Sequence, residues 1–370
     1  MSALTPEQAA VQRTFAAFCD REVVPAAARD ADGVFPLDLF KKVGELGFFG
    51  MRYPPSLGGS GADTLSLCLA AEELARGWLS LAAGSMMQAL MGTWLVYRSG
   101  NAALHERLLK PALRGEKLGT ICMTEPDAGS DLKAISTRAV RDGDSYTLNG
   151  KKTWITNASN ADFFTVFART GSTLSTFVVE AKTPGLVVGR PIGKMGVRSS
   201  PTSEVFFEDV RVPASQRVGE EGQGSDYLAE ILPQIRTVTG ALALGVARAA
   251  FDAARLYSTQ RKQFGKPIGE FQAVKLKLAD MATEIFASTQ VVHEAARLAD
   301  VSPSPGAAAM CKSFASESAL RVCDDAARVL ASYGYSTDYP VERYLRDVRF
   351  TLIGGGTPEI LKLAIAKEFQ

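Results

Sequence analysis

Three segments of the 370-residue chain combine glycine, hydroxyl and aromatic residues in patterns suited to holding a flat or anionic molecule. Residues 122–131, CMTEPDAGSD, can offer successive backbone N–H groups and hydroxyls to a polar ring edge or a phosphate. In residues 151–157, KKTWITN, Trp154 and Thr156 occupy alternate positions of a presumed strand. An aromatic face and a hydroxyl on one side can stack on and hydrogen-bond to a flat cofactor. Each of these two segments alone is also compatible with an ordinary loop or strand.

The third segment is a run of three glycines before the last predicted helix. Gly354-Gly355-Gly356 allows close approach of the backbone to a ligand and positive φ angles. Thr357 is suited to be the N-cap and Pro358 the first residue of the helix, whose free N–H groups can meet an anion or a ring oxygen. On its own, the run is more typical of a flexible turn between two helices.

The periodicity of apolar residues indicates which elements position these segments. Residues 5–118 are mostly helical, with a Gly/Pro/Ser-rich interruption at 53–61, and residues 119–217 contain short runs rich in Val, Phe and Thr. Beyond Gly224 the helical period returns, with a stripe at Val274, Leu278, Met281 and Ile285 that predicts the core of a helix bundle. We predict an N-terminal helical domain at 1–118, a middle β domain at 119–222 and a C-terminal helical domain at 223–370.

Composition excludes several classes of protein. With 46% hydrophobic and 22% charged residues and a formal net charge of +1, nothing favours binding to nucleic acid or to anionic lipid. The first residues lack the basic and apolar regions of a signal peptide, and no uninterrupted apolar run reaches membrane-spanning length, so we expect a cytoplasmic protein without membrane insertion. Five scattered cysteines and two histidines support neither a disulfide framework nor a metal site.

The first two segments, in this order and before a helical half, resemble the acyl-CoA dehydrogenase family. Residues 260–268, QRKQFGKPI, followed by Phe271-Gln272, resemble the arginine-containing helix end of that family, and residues 339–347, YPVERYLRD, with the glycine run, resemble its C-terminal motif. The resemblance covers essentially the whole chain. It implies an N-terminal α-helical bundle, a middle β-barrel-like domain and a C-terminal four-helix bundle. It also implies FAD, a homotetramer or homodimer, and an electron acceptor such as an electron-transfer flavoprotein or oxygen.

The resemblance also implies roles for individual residues around the flavin. Met123 and Thr124 would contact its pyrimidine side, Trp154 would pack on the isoalloxazine, and Thr156 would hydrogen-bond near flavin N5. Ser130 would lie between the flavin and the thioester chain.

Other implied residues hold the remainder of the cofactor or the substrate. Arg261, Gln263 and Phe264, with Gln272 close by, match the segment that reaches the pyrophosphate and adenosine of a FAD held mainly by a neighbouring subunit. An arginine fork suits that diphosphate. The other implied ligands are Thr357 and Glu359 for the cofactor, and Arg236, Gly354 and Gly355 for the acyl thioester.

The sequence departs from the family where the catalytic base is expected. Most members carry a glutamate immediately before the Gly-Thr pair, whereas this chain has Gly355 there. Some members carry it just before the arginine that Arg236 matches, and here that residue is Ile235. Glu230 is a weak replacement, because it lies about 140° around an ideal helix from position 235. Glu125 belongs to the flavin-loop motif and is interpreted as structural.

A second departure concerns residues 328–334, RVLASYG, where the family typically reads Gln-x-x-Gly-Gly-x-Gly near the FAD adenosine. Only Gly334 is retained, although Arg328 could still meet a phosphate.

Three functions are compatible with these observations. The first is α,β-dehydrogenation of an acyl thioester, carried by coenzyme A or an acyl carrier protein, with a relocated base. The second is other flavin chemistry on the same fold, such as enoyl-thioester reduction or monooxygenation, because a flavin hydroperoxide needs no such carboxylate. The third is a non-catalytic FAD-binding subunit that supports an active homologue.

Overall fold

The N-terminal part of the molecule is a set of packed helices. The computed structural model describes residues 3–369. The first helix begins with a capping box, in which the Gln8 backbone N–H donates to the Thr5 hydroxyl while the Gln8 side chain accepts from the Thr5 N–H. The α-helices of this part are α1 (Pro6–Phe18), α2 (Val24–Ala26), α3 (Leu37–Glu45), α4 (Thr64–Gly77), α5 (Leu79–Met86), α6 (Thr93–Arg98), α7 (Ala102–Leu104) and α8 (Lys110–Leu113).

The segment Leu79–Arg98 is the one stretch of the described residues that is long and apolar enough to cross a membrane. It consists of α5, a π-helical turn at Met87–Gly92, and α6. Of its most apolar 18-residue window, 94% is buried inside the protein, so we assign it to the protein core.

The middle part is a β domain. Its strands are β1 (Gly119–Cys122), β2 (Arg138–Asp142), β3 (Ser145–Thr156), β4 (Phe163–Thr170), β5 (Thr173–Glu180), β6 (Leu186–Val188), β7 (Thr202–Pro213) and β8 (Arg217–Val218). All eight form one sheet, in which seven follow the order β6-β7-β3-β2-β4-β5-β8 and β1 pairs in parallel with β4. Inward-facing Val, Phe, Tyr and Leu side chains of β3, β4, β5 and β7 make a separate core.

The C-terminal part consists of long helices and a short hairpin, namely α9 (Gly224–Gln260), β9 (Lys262–Gln263), β10 (Lys266–Pro267), α10 (Gln272–Val301), α11 (Pro305–Leu330), α12 (Val341–Asp347), α13 (Arg349–Ile353) and α14 (Pro358–Ala366). The predicted stripe of α10 is confirmed, because Met281 is buried and Val274, Leu278 and Ile285 pack against the core. The predicted order of a helical, a β and a helical domain is therefore confirmed.

A buried polar cluster joins the three parts of the molecule. Asp30 of the N-terminal part accepts from the indole N–H of Trp78 at 2.9 Å and from Arg346 at 3.2 Å. Asp347, the last residue of α12, accepts from Arg346 at 3.2 Å and from the Val197 N–H of the middle part at 2.7 Å. Because α12 leads through α13 to the glycine run, this cluster fixes the approach to that run.

Candidate active site

The two flavin-like segments of the β domain lie side by side. The Thr153 N–H donates to the Thr124 carbonyl at 2.9 Å, and the Lys152 ammonium donates to the Met123 carbonyl at 3.1 Å. Lys152 is wholly buried and forms an ion pair with Glu125 at 2.9 Å. The structure therefore places residues 122–131 and 151–157 next to each other. The buried ion pair fixes the position of the 122–131 loop.

Glu125 is held in place by several donors. Besides Lys152, its carboxylate accepts from the N–H and hydroxyl of Ser136, both at 2.7 Å, and from the Thr137 N–H at 3.0 Å. Burial opposes ionisation, but the Lys152 ammonium and these donors outweigh it and lower the pKa of Glu125 to about 2. So weak a base, with its oxygens occupied, fits the structural role expected for Glu125.

Trp154 presents an open aromatic face. The pairing of β3 with β7 shifts register between Lys152 and Ile155, and within this bulge Trp154 adopts a left-handed φ of +59°. Its side chain is 57% exposed, whereas Ile155 is buried and Thr156 is half-buried. An exposed indole held by a strained backbone, above a hydroxyl-rich loop, fits the flat ring of a flavin.

The other predicted ligands on this side are accessible to a bound molecule. Met123 and Thr124 are half-buried, and Ser130 is exposed at the end of the loop. Because apolar contact, hydroxyls and a flat face occur together, these residues fit the isoalloxazine of FAD.

The glycine run connects α13 to α14 with a conformation that favours glycine. Gly355 and Gly356 have φ values of +78° and +110°, and the Thr357 hydroxyl caps α14 by accepting from the Ile360 N–H at 3.4 Å. A Cβ added to Gly355 would lie 3.2 Å from Ile235 Cγ2 and 3.9 Å from Thr239 Oγ1. The two positions at which the sequence analysis expected a base therefore adjoin one another in space.

Two cations hold the glycine run. Arg236 Nε donates to the Gly355 carbonyl at 3.3 Å, and Lys312 Nζ of α11 donates to the Gly356 carbonyl. Within residues 3–369, neither cation forms an ion pair with a carboxylate. Sequence reasoning missed Lys312, because one lysine within a helix, in the third turn of α11, carries no recognisable signal of a site.

The contacts of Glu230 are with residues outside the glycine run. Its carboxylate pairs with Arg98 of α6 at 3.3 Å, and the side chain is partly exposed. This partner gives Glu230 a structural role at the junction of α6 and α9. Nothing in its contacts favours it as the base.

The residues expected to reach a neighbour's cofactor gather at one end of the C-terminal domain. Arg261 caps α9, Gln263 ends β9, Phe264 lies in the β9–β10 turn, and Gln272 starts α10; all four are exposed. Tyr257, one turn before Arg261, contacts the ring of Tyr333 at a centroid distance of 6.3 Å. The structure therefore places the helix end beside the 328–334 turn.

The remaining predicted ligands lie on helix ends. Arg328 is exposed and pairs with Asp324 at 2.8 Å. A Cβ on Gly334 would lie 2.1 Å from the Ala327 carbonyl oxygen. Close packing against α11 is therefore enough to require glycine there, without any ligand. Glu359 is exposed in the first turn of α14, and its own backbone N–H, followed by the Thr357 hydroxyl, lowers its pKa.

Comparison with protein families agrees with this arrangement along the whole chain. Residues 5–116, 120–210 and 222–370 match the N-terminal, middle and C-terminal domains of acyl-CoA dehydrogenase, respectively. The chain belongs to the acyl-CoA dehydrogenase family. It is an oxidoreductase that acts on CH–CH bonds, in a family whose members use FAD.

Individual relatives of this acyl-CoA dehydrogenase cover nearly its full length. It is 60% identical to benzylmalonyl-CoA dehydrogenase of Aromatoleum aromaticum, over 99% of this chain and 98% of that one. Butyryl-CoA dehydrogenase of Megasphaera elsdenii superposes with a TM-score of 0.96 at 36% identity, covering 100% and 99% of the two chains. A chain in the structure of the electron transferring flavoprotein of Acidaminococcus fermentans gives a TM-score of 0.97 at 37% identity, covering 100% and 99%.

Proposed function

We propose that this acyl-CoA dehydrogenase oxidises a coenzyme A thioester that carries a carboxylate on C2, a 2-substituted malonyl-CoA, and releases that carboxylate as CO2. One observation carries the proposal. The two adjoining positions that could supply a base hold Gly355 and Ile235, and the charged groups on the glycine run are cations. A site without a carboxylate but with positive charge suits a substrate that brings its own carboxylate.

The chemistry of such a substrate removes the need for a base. When the bond between C2 and the carboxylate breaks, the electron pair stays on C2, as it would after removal of a proton by a base. The hydride then leaves C3, and the pair on C2 forms the C2–C3 double bond of an enoyl-CoA. No proton has to be taken up or released, so the missing glutamate is consistent with this reaction.

The residues of this chain bind and orient the reactants. FAD, when bound, supplies the acceptor for the hydride that leaves C3. Trp154, Met123, Thr124 and Thr156 would hold its ring, with Lys152 and Glu125 keeping the loop in place. Arg236, which already bonds the Gly355 carbonyl, can offer its remaining N–H groups to the substrate carboxylate.

The substituent on C2 is proposed from the 60% identical relative, which is named for benzylmalonyl-CoA. The surroundings of the glycine run agree with an apolar group. Ile235 is buried there, and the Thr239 hydroxyl contacts the thioether of Met86 at 3.8 Å. We therefore propose a benzyl or similar arylalkyl substituent, on coenzyme A rather than on a carrier protein.

The remaining features of the proposed enzyme follow the family. We propose FAD as cofactor, an electron-transfer flavoprotein as acceptor, a cytoplasmic location and domain boundaries after residues 118 and 222. A homo-oligomer is supported by large apolar side chains exposed on the C-terminal domain. Among these are Leu276, Phe286, Phe314 and Phe264, the last 94% exposed.

The test compares two thioesters that differ only in the carboxylate. Benzylmalonyl-CoA, mixed anaerobically with the FAD-loaded enzyme, is expected to bleach the flavin and to give one CO2 per enoyl-CoA. 3-Phenylpropanoyl-CoA is expected to leave the flavin oxidised and to take up no deuterium at C2 in D2O. Bleaching with deuterium exchange by the second compound would instead indicate a relocated base.

Two other outcomes would favour the alternative functions. Consumption of oxygen together with a separate reductant, without CO2 from the thioester, would indicate a monooxygenase. A homogeneous protein that binds FAD but turns over neither thioester, and co-purifies with an active homologue, would indicate a non-catalytic subunit.

A further inference from the structure

We infer that Tyr333 and Arg261 form a binding site for adenosine diphosphate, with the adenine stacked on the Tyr333 ring and the diphosphate bonded to the Arg261 guanidinium. The inference rests on the proposed function, because both proposed ligands, FAD and a coenzyme A thioester, contain adenosine diphosphate. Tyr333 lies in the 328–334 segment, in which only the last glycine of the family pattern is retained. It was not among the ligands predicted from the sequence.

Two other tyrosine rings hold Tyr333 in place. Tyr333 contacts Tyr339 at a centroid distance of 5.5 Å and Tyr257 at 6.3 Å, and the rings of Tyr257 and Tyr339 are 5.5 Å apart. Tyr257 is buried and Tyr339 is half-buried, but Tyr333 is 43% exposed. The outermost ring of a packed cluster therefore presents an open aromatic surface, on which a nucleobase can stack.

The turn that carries Tyr333 has a constrained backbone. Helix α11 ends at Leu330, and Ala331 then adopts a φ of +53° and a ψ of −125°, a conformation that alanine rarely takes. At the other end of the turn, Gly334 packs against the Ala327 carbonyl oxygen with no room for a Cβ. A strained backbone persists only where the surrounding structure fixes it, so the turn holds Tyr333 in one position before a ligand binds.

Arg261 places a positive charge next to this ring cluster. Its N–H donates to the Tyr257 carbonyl at 2.9 Å. Burial raises the pKa of Tyr257 and the Arg261 guanidinium opposes that rise, so the charge lies close to the Tyr257 hydroxyl. Arg255 on the same helix pairs with Asp252 at 3.6 Å, whereas Arg261 forms no ion pair within residues 3–369. Its exposed guanidinium is therefore available to a diphosphate, which it can bind through two N–H groups.

The order of the two groups suits a nucleotide. Tyr257 and Arg261 are four residues apart, which is about 6 Å along an ideal helix, and Tyr333 adjoins Tyr257. Adenosine diphosphate has a flat base at one end and a diphosphate at the other, with a ribose between them. An open aromatic ring beside an unpaired guanidinium matches both ends. Inorganic phosphate would use only the guanidinium, and an apolar surface would use only the ring.

The first arm of the experiment measures flavin release, by fluorescence on dilution, from enzyme loaded with FAD or with FMN. Tyr333→Leu removes the aromatic ring but keeps an apolar side chain. It is expected to weaken FAD binding about 10-fold or more, the usual effect of losing one stack between a base and an aromatic side chain. Tyr333→Phe keeps the ring and should change FAD affinity less than about 2-fold. FMN lacks the adenosine and should be retained equally by wild type and Tyr333→Leu.

Tyr335→Leu is the matched control. Tyr335 lies two residues beyond Tyr333, is 94% exposed, and takes part in none of the three tyrosine ring contacts. This variant should retain FAD as wild type does. If Tyr333→Leu releases FMN as readily as FAD, or dissociates the oligomer in gel filtration, Tyr333 has a structural role and the inference is wrong. Equal release of FAD by the variants at 333 and 335 would also overturn it.

The second arm distinguishes the two sources of adenosine diphosphate. 3-Phenylpropanoyl-CoA, and the same acyl group on pantetheine without the nucleotide, are titrated calorimetrically into enzyme saturated with FAD. If the site holds coenzyme A, Tyr333→Leu weakens only the coenzyme A thioester, by about 10-fold, and leaves FAD release unchanged. If the site holds FAD, only FAD release changes and both thioesters bind as before. Unchanged binding of all four ligands would overturn the inference.

These measurements are separable from the test of the proposed function, because neither arm requires turnover. If the wild-type enzyme releases CO2 from benzylmalonyl-CoA while Tyr333→Leu retains full affinity for FAD and for the thioester, the function stands and the role of Tyr333 is wrong. If Tyr333→Leu loses affinity for one of them but the wild-type enzyme releases no CO2, the nucleotide site stands and the proposed reaction is wrong.

Discussion

Ile235 and Gly355 face the same small volume, with Ile235 Cγ2 lying 3.2 Å from the point where a Cβ on Gly355 would stand. Position 235 is on the long helix α9, and position 355 is 120 residues later in the loop before α14. A carboxylate on either element could therefore serve one reacting carbon, which is a geometric reason for the two base positions that the resemblance implies. In this chain, neither position 235 nor position 355 puts a carboxylate into that volume.

Placing a carboxylate on α9 should change the reaction. We predict that Ile235→Glu lets the enzyme exchange the C2 hydrogen of 3-phenylpropanoyl-CoA with D2O and reduces the flavin with that substrate at least about 100-fold faster. Turnover of benzylmalonyl-CoA should fall, because two carboxylates would share the volume. Deuterium at C2, measured by NMR, is the readout.

Ile235→Gln is the matched control for this variant, because it has nearly the same size but no basic oxygen. If Gln promotes exchange as well as Glu, the gain comes from polarity rather than from a base, and the geometric explanation fails.

The Glu125–Lys152 ion pair should make stability depend on pH in the acid range. The pKa of Glu125 is lowered from its ordinary 4.5 to about 2, so its stabilising contribution is full above pH 4.5 and is lost as the pH falls toward 2. We predict that Glu125→Gln reduces the free energy of unfolding by about 3 kcal/mol at pH 7, with a smaller difference at pH 3. Urea unfolding at several pH values measures both.

A second variant tests the pairing itself. Lys152→Met leaves the Glu125 carboxylate buried without its partner, so it should destabilise by about 3–5 kcal/mol, and the double variant should lose less than the sum of the two single changes. Additive losses would show that the two groups act independently.

The buried cluster of Asp30 and Asp347 should make stability depend on pH in the direction opposite to that of Glu125. Burial and the neighbouring Asp30 carboxylate raise the pKa of Asp347 from its ordinary 3.8 to about 7. The folded state therefore holds a proton that the unfolded state loses near pH 4, and stability falls as the pH rises to about 7. Asp347→Asn keeps an oxygen for the Val197 N–H. We predict that at pH 5 this variant unfolds at a urea concentration no higher than wild type does. At pH 8 it should unfold at a higher urea concentration, because its free energy of unfolding is then about 2–4 kcal/mol larger.

Asp347→Ala separates the charge from the hydrogen bonds, since it removes both. It should destabilise at every pH because it leaves the Val197 N–H without its partner. If Asp347→Asn and wild type show the same pH dependence, Asp347 does not hold the proton.

Retention of FAD is predicted to depend on the exposed end of α9. The purified protein should be yellow, and Arg261→Ala should weaken FAD binding about 10-fold, because a guanidinium bonds well to a diphosphate. The measurement is release of flavin fluorescence on dilution. Arg255→Ala is the control, because Arg255 lies on the same helix and is also exposed, with Asp252 at 3.6 Å as its partner. Colourless protein that binds no added FAD would contradict the cofactor assignment.

Local chemistry made part of this structure predictable. Thr357 and Pro358 start α14 as their residue types indicate, and the stripe from Val274 to Ile285 faces the core, because capping and periodicity are properties of a few consecutive residues. Three features depend on partners far away in the chain and were not predictable. The bulge at Trp154 arises from pairing with β7, and the need for glycine at 334 arises from the Ala327 carbonyl. The contact of Lys312 with the Gly356 carbonyl joins residues 44 positions apart.

The left-handed φ values of Gly355 and Gly356 also bear on how such an enzyme can change by mutation. A single nucleotide change converts any glycine codon into a glutamate or an aspartate codon, so a carboxylate at position 355 is one substitution away. The backbone there, at φ +78°, disfavours any side chain, and the new Cβ would press on Ile235. A glutamate at position 355 would have to adopt a backbone conformation that favours glycine. Position 235 lies on a regular helix, where the backbone conformation suits a glutamate. Any descendant that regained proton abstraction would thus be expected to acquire it on α9 first.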